Sequence, residues 1–407
     1  MERPLKIAVS IWSFCPNTGG LQSHTESLCK YLRNRGHDVR VITRSATQIP
    51  QGGDYLFRNE PSDHMVINGI SVRALRFSKL WWPLLWVILK AHTRSWLCGV
   101  AARLYSVVAA TSARTAFAGF DVIHHVGHST ALMGLASADA ARRHGIPLLV
   151  QPMAHPANFG DSKSDFRLYH RADQLLVNTV YERDYFLSKG ITCPLAIVGS
   201  AVEDRRDGQG ARFREKHGIK DLMILYVGRK AIDKGYQLIT EAFTLLRAKY
   251  PTLTLVCMGP SDPGIEVKRI EGIVELDYVS EDEKHDALAA CTCLCVPSVS
   301  ESFGLIYMEA GRYAKPVVGR DLPVLRELLG NKNAAILLGR PNPTRNTAGL
   351  TRYELAAGLE SLLDDPKLRR EIGERCYDVS ATFLWPKMVR RFEKAYTTAL
   401  KTRPTRQ

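Results

Sequence analysis

Short apolar runs alternate with amphipathic stretches from the first residues onward. Residues 5–12 form an apolar run, residues 21–32 carry apolar side chains at helical spacing, and residues 39–43 are apolar again. Gly19 and Gly20 stand between the first run and the amphipathic stretch. The pattern predicts a strand, a glycine loop, a helix and a second strand, and the helix N-terminus would favour an anion.

The same alternation continues to about residue 200. Residues 65–76 are predicted to be extended, with a hairpin turn at Asn68-Gly69. Residues 80–117 are predicted to be helical. The remaining predicted strands are 121–126, 147–151, 174–178 and 196–198, and the remaining predicted helices are 131–144 and 181–189.

A polar, glycine-punctuated stretch at 199–210 is predicted to be a linker, and a second alternation follows it. Its predicted strands are 222–227, 253–258, 273–276, 291–296, 316–319 and 334–338, and its predicted helices are 236–249, 281–290, 303–312, 351–380 and 383–400.

The fold class is therefore α/β, with two doubly wound parallel-sheet domains of Rossmann-like type. We place an N-terminal domain at 1–200, a C-terminal domain at 211–380 and a last helix within 381–407. Ligands of such sheets bind at the carboxyl ends of the strands, and with two domains a crevice between them is expected.

Composition narrows the class of partner. The 407 residues carry a formal net charge of +14, but the basic residues are dispersed and no nucleic-acid motif is present. Anionic small ligands or an anionic membrane surface fit this charge better than nucleic acid. Nine cysteines without disulfide-framework spacing favour a reducing, cytoplasmic location.

Residues 79–103 mix aromatic and basic side chains. The longest apolar run, 80–89, is interrupted by Pro83 and has about half the length that spans a bilayer. This mixture suits peripheral contact with the inner face of a membrane, and equally suits a cleft wall with buried helix packing. The residues concerned are Lys79, Trp81, Trp82, Trp86, Lys90, Arg94, Trp96 and Arg103.

Two carboxylates, Glu301 and Glu309, lie eight positions apart after the predicted strand 291–296. Serines at 298, 300 and 302 are candidate caps for the following helix. A mostly helical segment would separate the two backbones by about 12 Å. This exceeds the carboxyl spacing of about 5–9.5 Å that suits glycosidase pairs. The spacing alone fits two interpretations. The carboxylates could bind the two ends of a long polyol ligand, or the first could cap the helix and the second be an ordinary helix glutamate.

Further candidates follow other predicted strands. Arg229 and Lys234 straddle a turn and could meet a diphosphate, or could be solvated cations at a helix start. Gly228 and Gly259 follow the strands 222–227 and 253–258. Cys291, Cys293 and Cys295 alternate and are expected to share one strand face, where they pack without a metal.

The motifs resemble those of the retaining glycosyltransferases with the GT-B fold, family GT4, over nearly the whole chain. The resemblance rests on Gly19-Gly-Leu-Gln-Ser-His24, Ala172-Asp173 with Tyr181-Glu182, Val227-Gly-Arg229 with Lys234-Gly235, and Glu301-Ser-Phe-Gly-Leu-x3-Glu309-Ala.

The resemblance implies a role for each matched residue. Glu301 would hold hydroxyls of a donor sugar, together with the Ser302-Phe303-Gly304 loop, and Leu305 would meet phosphate. Glu309 would take the ribose hydroxyls. Arg229 and Lys234 would neutralise the departing diphosphate, and the loop at Gly19 and Gly20 would close over it.

It also implies a reaction. A sugar would pass with retention from a nucleotide-diphosphate donor, most often a uridine one, to a glycan, lipid-linked or small-molecule hydroxyl in cell-surface polysaccharide or glycolipid synthesis. No cofactor beyond the nucleotide sugar is implied. No Asp-x-Asp follows a strand, which disfavours a metal-dependent GT-A enzyme.

One position departs from the family pattern. Many members carry a functional histidine two residues after the match to His124, and Val126 stands there in this chain. His125 or His128 could substitute, or these histidines could simply be packed. Two other functions remain open: a nucleotide-sugar epimerase or hydrolase, and a non-catalytic sugar-nucleotide-binding subunit.

Overall fold

We describe the fold from a computed structural model of the chain. It describes residues 3–14, 19–47, 59–92, 97–128, 132–267, 269–341 and 348–402. The chain divides into two compact units: unit 1 takes in residues up to Ser200 and those from Trp385 onward, and unit 2 is Ala201–Leu384.

Unit 1 is built on an eight-stranded sheet. Its strand order is β3-β4-β2-β1-β5-β6-β7-β8, and neighbouring strands are parallel except for β3 and β4, which form a hairpin. Asn68 and Gly69 have φ of 50° and 77°, as the predicted two-residue turn requires. The strands are β1 (Lys6–Ser10), β2 (Asp38–Thr43), β3 (His64–Ile67), β4 (Ile70–Ala74), β5 (Val122–Val126), β6 (Leu148–Gln151), β7 (Gln174–Val177) and β8 (Leu195–Ile197).

Six helices lie among these strands in the part of unit 1 that the structure describes. The helices are α1 (Gly20–Asn34), α2 (Trp82–His92), α3 (Cys98–Ala116), α4 (Met133–His144), α5 (Lys163–Tyr169) and α6 (Val180–Ser188). A 3-10 turn, Lys79–Trp81, precedes α2. The predicted helix at 80–117 is therefore two described helices, and residues 93–96, with Arg94 and Trp96, lie outside the described residues. Helix α5 begins at a Ser162–Asp165 capping box and was not predicted from the sequence.

Unit 2 is built on a six-stranded parallel sheet of order β11-β10-β9-β12-β13-β14. Its strands are β9 (Met223–Val227), β10 (Thr254–Met258), β11 (Ile273–Leu276), β12 (Cys293–Val296), β13 (Val317–Arg320) and β14 (Ile336–Leu338), and a small antiparallel pair joins β15 (Arg340–Pro341) to β16 (Ala348–Gly349). Its helices are α7 (Gly210–Lys216), α8 (Tyr236–Arg247), α9 (Glu281–Ala290), α10 (Leu305–Arg312), α11 (Pro323–Leu328), α12 (Arg352–Asp364) and α13 (Pro366–Ala381).

The stretch predicted to be a linker packs on unit 2. The Val202 amide donates to the Phe383 carbonyl, and Asp204 accepts from the buried Arg312 guanidinium at 2.6 Å. The boundary between the two units, after Ser200, lies within this stretch, and its charges form pairs with residues distant in sequence. Strand β12 is also shorter than predicted, because the Cys291 amide bonds the Ala287 carbonyl and so closes the last turn of α9. Cys291 therefore does not share the strand of Cys293 and Cys295.

The last helix, α14 (Trp385–Thr402), belongs to unit 1. Trp385 is 1% exposed and stacks on Tyr31 of α1, with ring centroids 5.5 Å apart. Phe392 and Tyr396 are also buried on this face. Among the helices that the structure describes, none has the length and apolarity needed to cross a bilayer.

Candidate functional site

Loops with polar side chains follow the central strands of the unit 2 sheet. Gly228 and Arg229 follow β9, Gly259 follows β10, and Pro297 follows β12. These strands are neighbours and run parallel, so their carboxyl ends meet at one edge of the sheet. The edge lies where parallel α/β sheets bind ligands.

Two glycines bring these loops into close contact. Gly259 has φ of 132°, and a Cβ there would collide with the Gly228 carbonyl. Gly235 has φ of 71°, and its Cβ would lie 2.5 Å from the Pro297 carbonyl oxygen. A side chain at either position would be strained in φ and would push the loops apart. The glycines therefore let the 228–235 segment lie against the loops that follow β10 and β12.

This packing pairs Lys234 with Glu301. The Lys234 Nζ lies 2.8 Å from Glu301 Oε1, and the two side chains are 19% and 12% exposed. A lysine–carboxylate pair that is largely withdrawn from water is screened less than a surface pair. The sequence placed both residues in one site, and the structure brings them into direct contact.

Arg229 has a different set of partners. Its guanidinium donates to Asp262, after β10, and to Asp233 Oδ2 at 3.1 Å, and its side chain is 49% exposed. Arg229 and Lys234 thus pair with different carboxylates in this structure, and their convergence on one diphosphate, which the sequence suggests, stays a prediction. Each cation has a carboxylate partner that an anionic ligand would have to replace.

Helix α10 begins two residues later than predicted. Gly304, with φ of 82°, is its N-cap, so none of the serines at 298, 300 and 302 caps it. Ser302 and Phe303 precede the helix, and Phe303 is 1% exposed with its ring edge-on to Phe383 at 5.1 Å. Phe303 can therefore offer a ligand only its backbone. Glu301 lies in the loop, so the helical spacing assumed for the two carboxylates does not hold.

Glu309 lies inside α10 and faces α9. Its two carboxylate oxygens lie 3.2 Å and 3.1 Å from the Lys284 Nζ. The Glu309 side chain is 22% exposed. The four residues Lys234, Glu301, Lys284 and Glu309 thus form two lysine–glutamate pairs, one before and one within α10.

In unit 1 the adjacent histidines of β5 are interior. His124 is 0% exposed and its Nδ1 is 2.9 Å from the Tyr396 hydroxyl, while His125 is 1% exposed and its Nδ1 is 3.1 Å from the Ser10 hydroxyl. Burial lowers the pKa of each imidazole to about 3. The structure therefore places His125 away from solvent, where it supports packing rather than contact with a substrate.

His128 lies just beyond β5 and keeps some exposure. Its side chain is 17% exposed, its Nδ1 is 3.9 Å from Asp165 Oδ1, and its ring lies edge-on to Phe159 at 4.4 Å. Burial lowers the pKa of His128, and the Asp165 carboxylate opposes that shift. Of the two histidine candidates, His128 is the one open to solvent.

The glycine loop of unit 1 is described only at its end. Cys15 to Thr18 lie outside the described residues, whereas Gly19 is the N-cap of α1 and Gly20 begins that helix. The helix N-terminus predicted at this loop is therefore present. His24, in the same helix, is buried with its Nε2 3.3 Å from Gln151 Oε1.

Sequence reasoning missed four charged residues of these sites: Asp233, Asp262, Lys284 and Asp165. Asp233 lies inside the segment from Arg229 to Lys234, so its proximity was a signal that could have been used. Asp262 lies 33 positions from Arg229, and Lys284 lies 25 positions from Glu309. Pairs at such separations are decided by strand order and leave no local pattern.

Two family models match the chain. The "Glycosyl transferase 4-like domain" model matches residues 19–196, and the "Glycosyl transferases group 1" model matches residues 210–379. The chain belongs to the group 1 glycosyltransferases. This glycosyltransferase therefore has the class of activity that its motifs implied, transfer of a glycosyl group.

Relatives match this glycosyltransferase over most of its length. A D-inositol 3-phosphate glycosyltransferase of Acidothermus cellulolyticus is 26% identical over 96% of this chain and 88% of its own. A phosphatidyl-myo-inositol mannosyltransferase of Mycolicibacterium smegmatis is 22% identical over 93% of this chain and 90% of its own.

Solved structures agree on the fold. Sucrose-phosphate synthase from Thermosynechococcus elongatus superposes with a TM-score of 0.71 at 17% identity, covering 97% of this chain and 99% of that one. Anabaena HepE in complex with UDP and glucose superposes with a TM-score of 0.70 at 17% identity, covering 98% and 100%. The predicted GT-B fold is confirmed.

Proposed function

We propose that this glycosyltransferase moves a sugar from a nucleoside diphosphate donor to an acceptor hydroxyl, with retention of configuration, using the carboxyl edge of the unit 2 sheet to hold the donor. The observation that carries the proposal is the placement of Glu301 and Glu309. Both carboxylates lie in one short segment after β12, each is paired with a lysine, and the N-terminus of α10 lies between them.

The main catalytic task is to stabilise negative charge on the departing diphosphate. Lys234 supplies a cation beside the Glu301 loop, and the N-terminus of α10 adds partial positive charge. Arg229 joins them when phosphate oxygens replace Asp233 and Asp262 as its partners. These groups neutralise the diphosphate without a metal, so we propose a metal-independent reaction with the nucleotide sugar as the sole co-substrate.

Each end of the donor has a proposed carboxylate. Glu301 accepts hydroxyls of the sugar, and the backbone of residues 302–305 approaches the sugar and phosphate. Glu309 accepts the ribose hydroxyls, and Gly228 and Gly259 leave space at the sheet edge for the nucleotide. Within unit 1, Gly19 and Gly20 at the start of α1 are a candidate anion-binding position, and His128 is the candidate for the acceptor hydroxyl.

We propose uridine as the base of the donor. Anabaena HepE, which shares the fold, is described with UDP and glucose bound. For the acceptor we propose a lipid-linked or membrane-proximal glycan, with a soluble polyol phosphate as the second candidate. The names of the two relatives above support both acceptor classes, since one names an inositol phosphate and the other a phosphatidylinositol.

We also propose peripheral membrane contact through the first part of 79–103. Leu80, Trp82 and Trp86 are 88%, 43% and 57% exposed. The Nζ atoms of Lys79 and Lys90 lie 5.9 Å and 5.6 Å from the rings of Trp82 and Trp86. Exposed indole rings beside ammonium groups suit the headgroup region of an anionic bilayer. This exposure disfavours the alternative in which these tryptophans pack in a core.

The donor site is tested by the variant Glu301→Gln, assayed with UDP-sugars and a membrane lipid extract as acceptor. We expect transfer to fall at least about a hundredfold, because the variant loses a charged contact to the sugar. Glu271→Gln is the matched control, since the Glu271 side chain is 93% exposed on another edge of unit 2. Unchanged transfer by Glu301→Gln would refute the site, and donor breakdown at full rate without acceptor would favour a hydrolase.

The membrane contact is tested by co-sedimentation with vesicles of phosphatidylcholine alone and with phosphatidylglycerol. We expect binding only to the anionic vesicles, and loss of binding in the double variant Trp82→Ser, Trp86→Ser. Val107→Ser is the control, because Val107 is an exposed apolar residue, at 58%, on α3. Equal binding by the double variant would refute this contact surface.

A further inference from the structure

Lys284 of α9 forms an ion pair with the carboxylate of Glu309. Its Nζ is 3.2 Å and 3.1 Å from the two Glu309 oxygens, and 2.8 Å from Glu281 Oε2, one turn earlier in α9. Lys284 is 16% exposed, whereas Glu281 is 63% exposed. The ammonium group therefore reaches inward to Glu309 and has its second carboxylate partner near the surface.

The two carboxylate partners of Lys284, Glu309 and Glu281, stabilise its charged form. Burial alone would lower its pKa, but Glu309 and Glu281 outweigh burial and raise the pKa of Lys284 above its ordinary value. An ammonium group has three N–H donors, and a carboxylate has about four acceptor positions. A contact to both Glu309 oxygens therefore leaves about one further acceptor position on each oxygen.

That remaining pair of acceptor positions matches two adjacent hydroxyls. We infer that Lys284 is a positioning residue for Glu309: it fixes both carboxylate oxygens so that each accepts one hydroxyl of the vicinal diol of the donor ribose. The inference rests on the proposed function, because it takes the ribose as the group that Glu309 binds. It adds a residue outside the Glu301–Glu309 segment to the nucleotide site.

The physical benefit is preorganisation. A free glutamate must give up side-chain rotamers when it binds a ligand, and that loss reduces affinity. Lys284 fixes the Glu309 rotamer in the ligand-free protein, so the ribose meets a carboxylate already in place. Glu309 also stays paired, so the free protein does not leave a half-buried carboxylate without a cation.

A purely structural ion pair between α9 and α10 makes a different prediction. A structural pair would support the binding of any nucleotide, whether or not it carries ribose hydroxyls. A positioning residue supports only ligands whose hydroxyls Glu309 receives. The two roles therefore separate in a comparison of UDP with its 2′,3′-dideoxy analogue.

The experiment measures the affinity of the full chain for UDP and for 2′,3′-dideoxy-UDP by calorimetry, in the wild type, Lys284→Met, Lys284→Arg and Lys367→Met. We expect Lys284→Met to weaken UDP binding about tenfold, the size of one charge-assisted contact, and to change dideoxy-UDP binding less than about twofold. Lys284→Arg should restore UDP binding to within about threefold of the wild type. Lys367→Met is the control, because Lys367 is an exposed lysine of the same unit, 84% accessible, and the variant should change neither ligand more than about twofold.

Two results would overturn this inference without affecting the proposed function. Equal weakening of UDP and dideoxy-UDP binding by Lys284→Met would indicate a structural ion pair. Tighter UDP binding by Lys284→Met would indicate that Lys284 blocks the ribose. If the wild type prefers GDP or ADP to UDP, the same comparison is made with that nucleotide and its dideoxy analogue. If the wild type binds none of the three, the proposed donor class is wrong and this inference falls with it.

Discussion

Lowering the pH from 7 to 5 should destabilise unit 1 through its buried histidines. His24 and His124 are 2% and 0% exposed and lie against α14, where Trp385 and Phe392 cover the His24 ring and Phe392 and Tyr396 cover the His124 ring. Burial lowers the pKa of His24 to about 4, and burial together with the neighbouring His24 and His125 lowers the pKa of His124 to about 3.

The direction of this pH effect follows from the protons that the folded and unfolded chains bind. The unfolded chain takes up protons on these imidazoles as the pH falls through about 6.5, while the folded chain does not until near pH 4 or 3. Stability is therefore complete above about pH 6.5 and is lost as the pH falls below it. At pH 5 the loss is about 2 kcal/mol for each histidine. For a unit of this size that lowers the Tm by about 4–8 °C per histidine.

The assay follows thermal unfolding from pH 7.5 to 4.5 in the wild type, His24→Gln and His64→Gln. The first variant removes one buried imidazole, and we expect it to lose about 2 kcal/mol of the pH dependence. His64, whose side chain is 64% exposed, is the control and should leave the pH profile unchanged. A wild-type Tm that is flat from pH 7 to 5, or a profile that His24→Gln does not change, would refute the reasoning.

Three further predictions concern packing and loop geometry. Trp385→Ala should cost about 3–5 kcal/mol in chemical denaturation, because it removes a buried indole from the α1–α14 contact; a cost below about 1 kcal/mol would contradict that contact. Gly235→Ala should lower the free energy of unfolding by about 1–3 kcal/mol and lower the rate of transfer, since a Cβ would press on the Pro297 carbonyl and displace Lys234. Gly218→Ala is the control for backbone strain alone, because Gly218 has φ of 64° but nothing near its Cβ, and this variant should leave transfer intact. Tyr307→Phe should cost about 0.5–1.5 kcal/mol in urea unfolding, because it removes one buried hydrogen bond to the Val296 carbonyl, which keeps its bond from the Ser298 amide; an unchanged midpoint would contradict this.

Most strands and helices were predictable because their signals are local. Runs such as β9 and β10 alternate with α8 in a pattern that a window of a few residues reveals. The errors were also local in origin. The serines before α10 favoured an early helix start, but the chain turns at Gly304, with positive φ, and the helix begins at Leu305.

The candidate site was predictable only in part. The motif segments placed Arg229, Lys234, Glu301 and Glu309 after strands of one sheet, and parallel strands bring such segments to one edge. The assignment of partners could not be predicted, because every plausible anion partner of a cation looks alike in sequence. In the structure Arg229 pairs with the carboxylates of Asp233 and Asp262, and Lys234 pairs with Glu301.

The histidines show the same limit. His124, His125 and His128 are equivalent in a sequence that only locates the end of a strand. Burial separates them, since β5 is an interior strand and directs His124 toward Tyr396 and His125 toward Ser10. Only His128, beyond the strand, keeps exposure, with Asp165 supplied by a helix that the sequence analysis missed.

By itself, the sequence determined the α/β alternation, the motif segments and hence the family, because hydrophobic periodicity and loop chemistry are encoded within short windows. The tertiary structure decided which charges meet, which histidine is accessible and which residue holds Glu309. Lys284 and Glu309 are 25 positions apart, and Lys234 and Glu301 are 67 apart. Contacts at those separations depend on strand order and helix packing, which arise from the whole core of a unit.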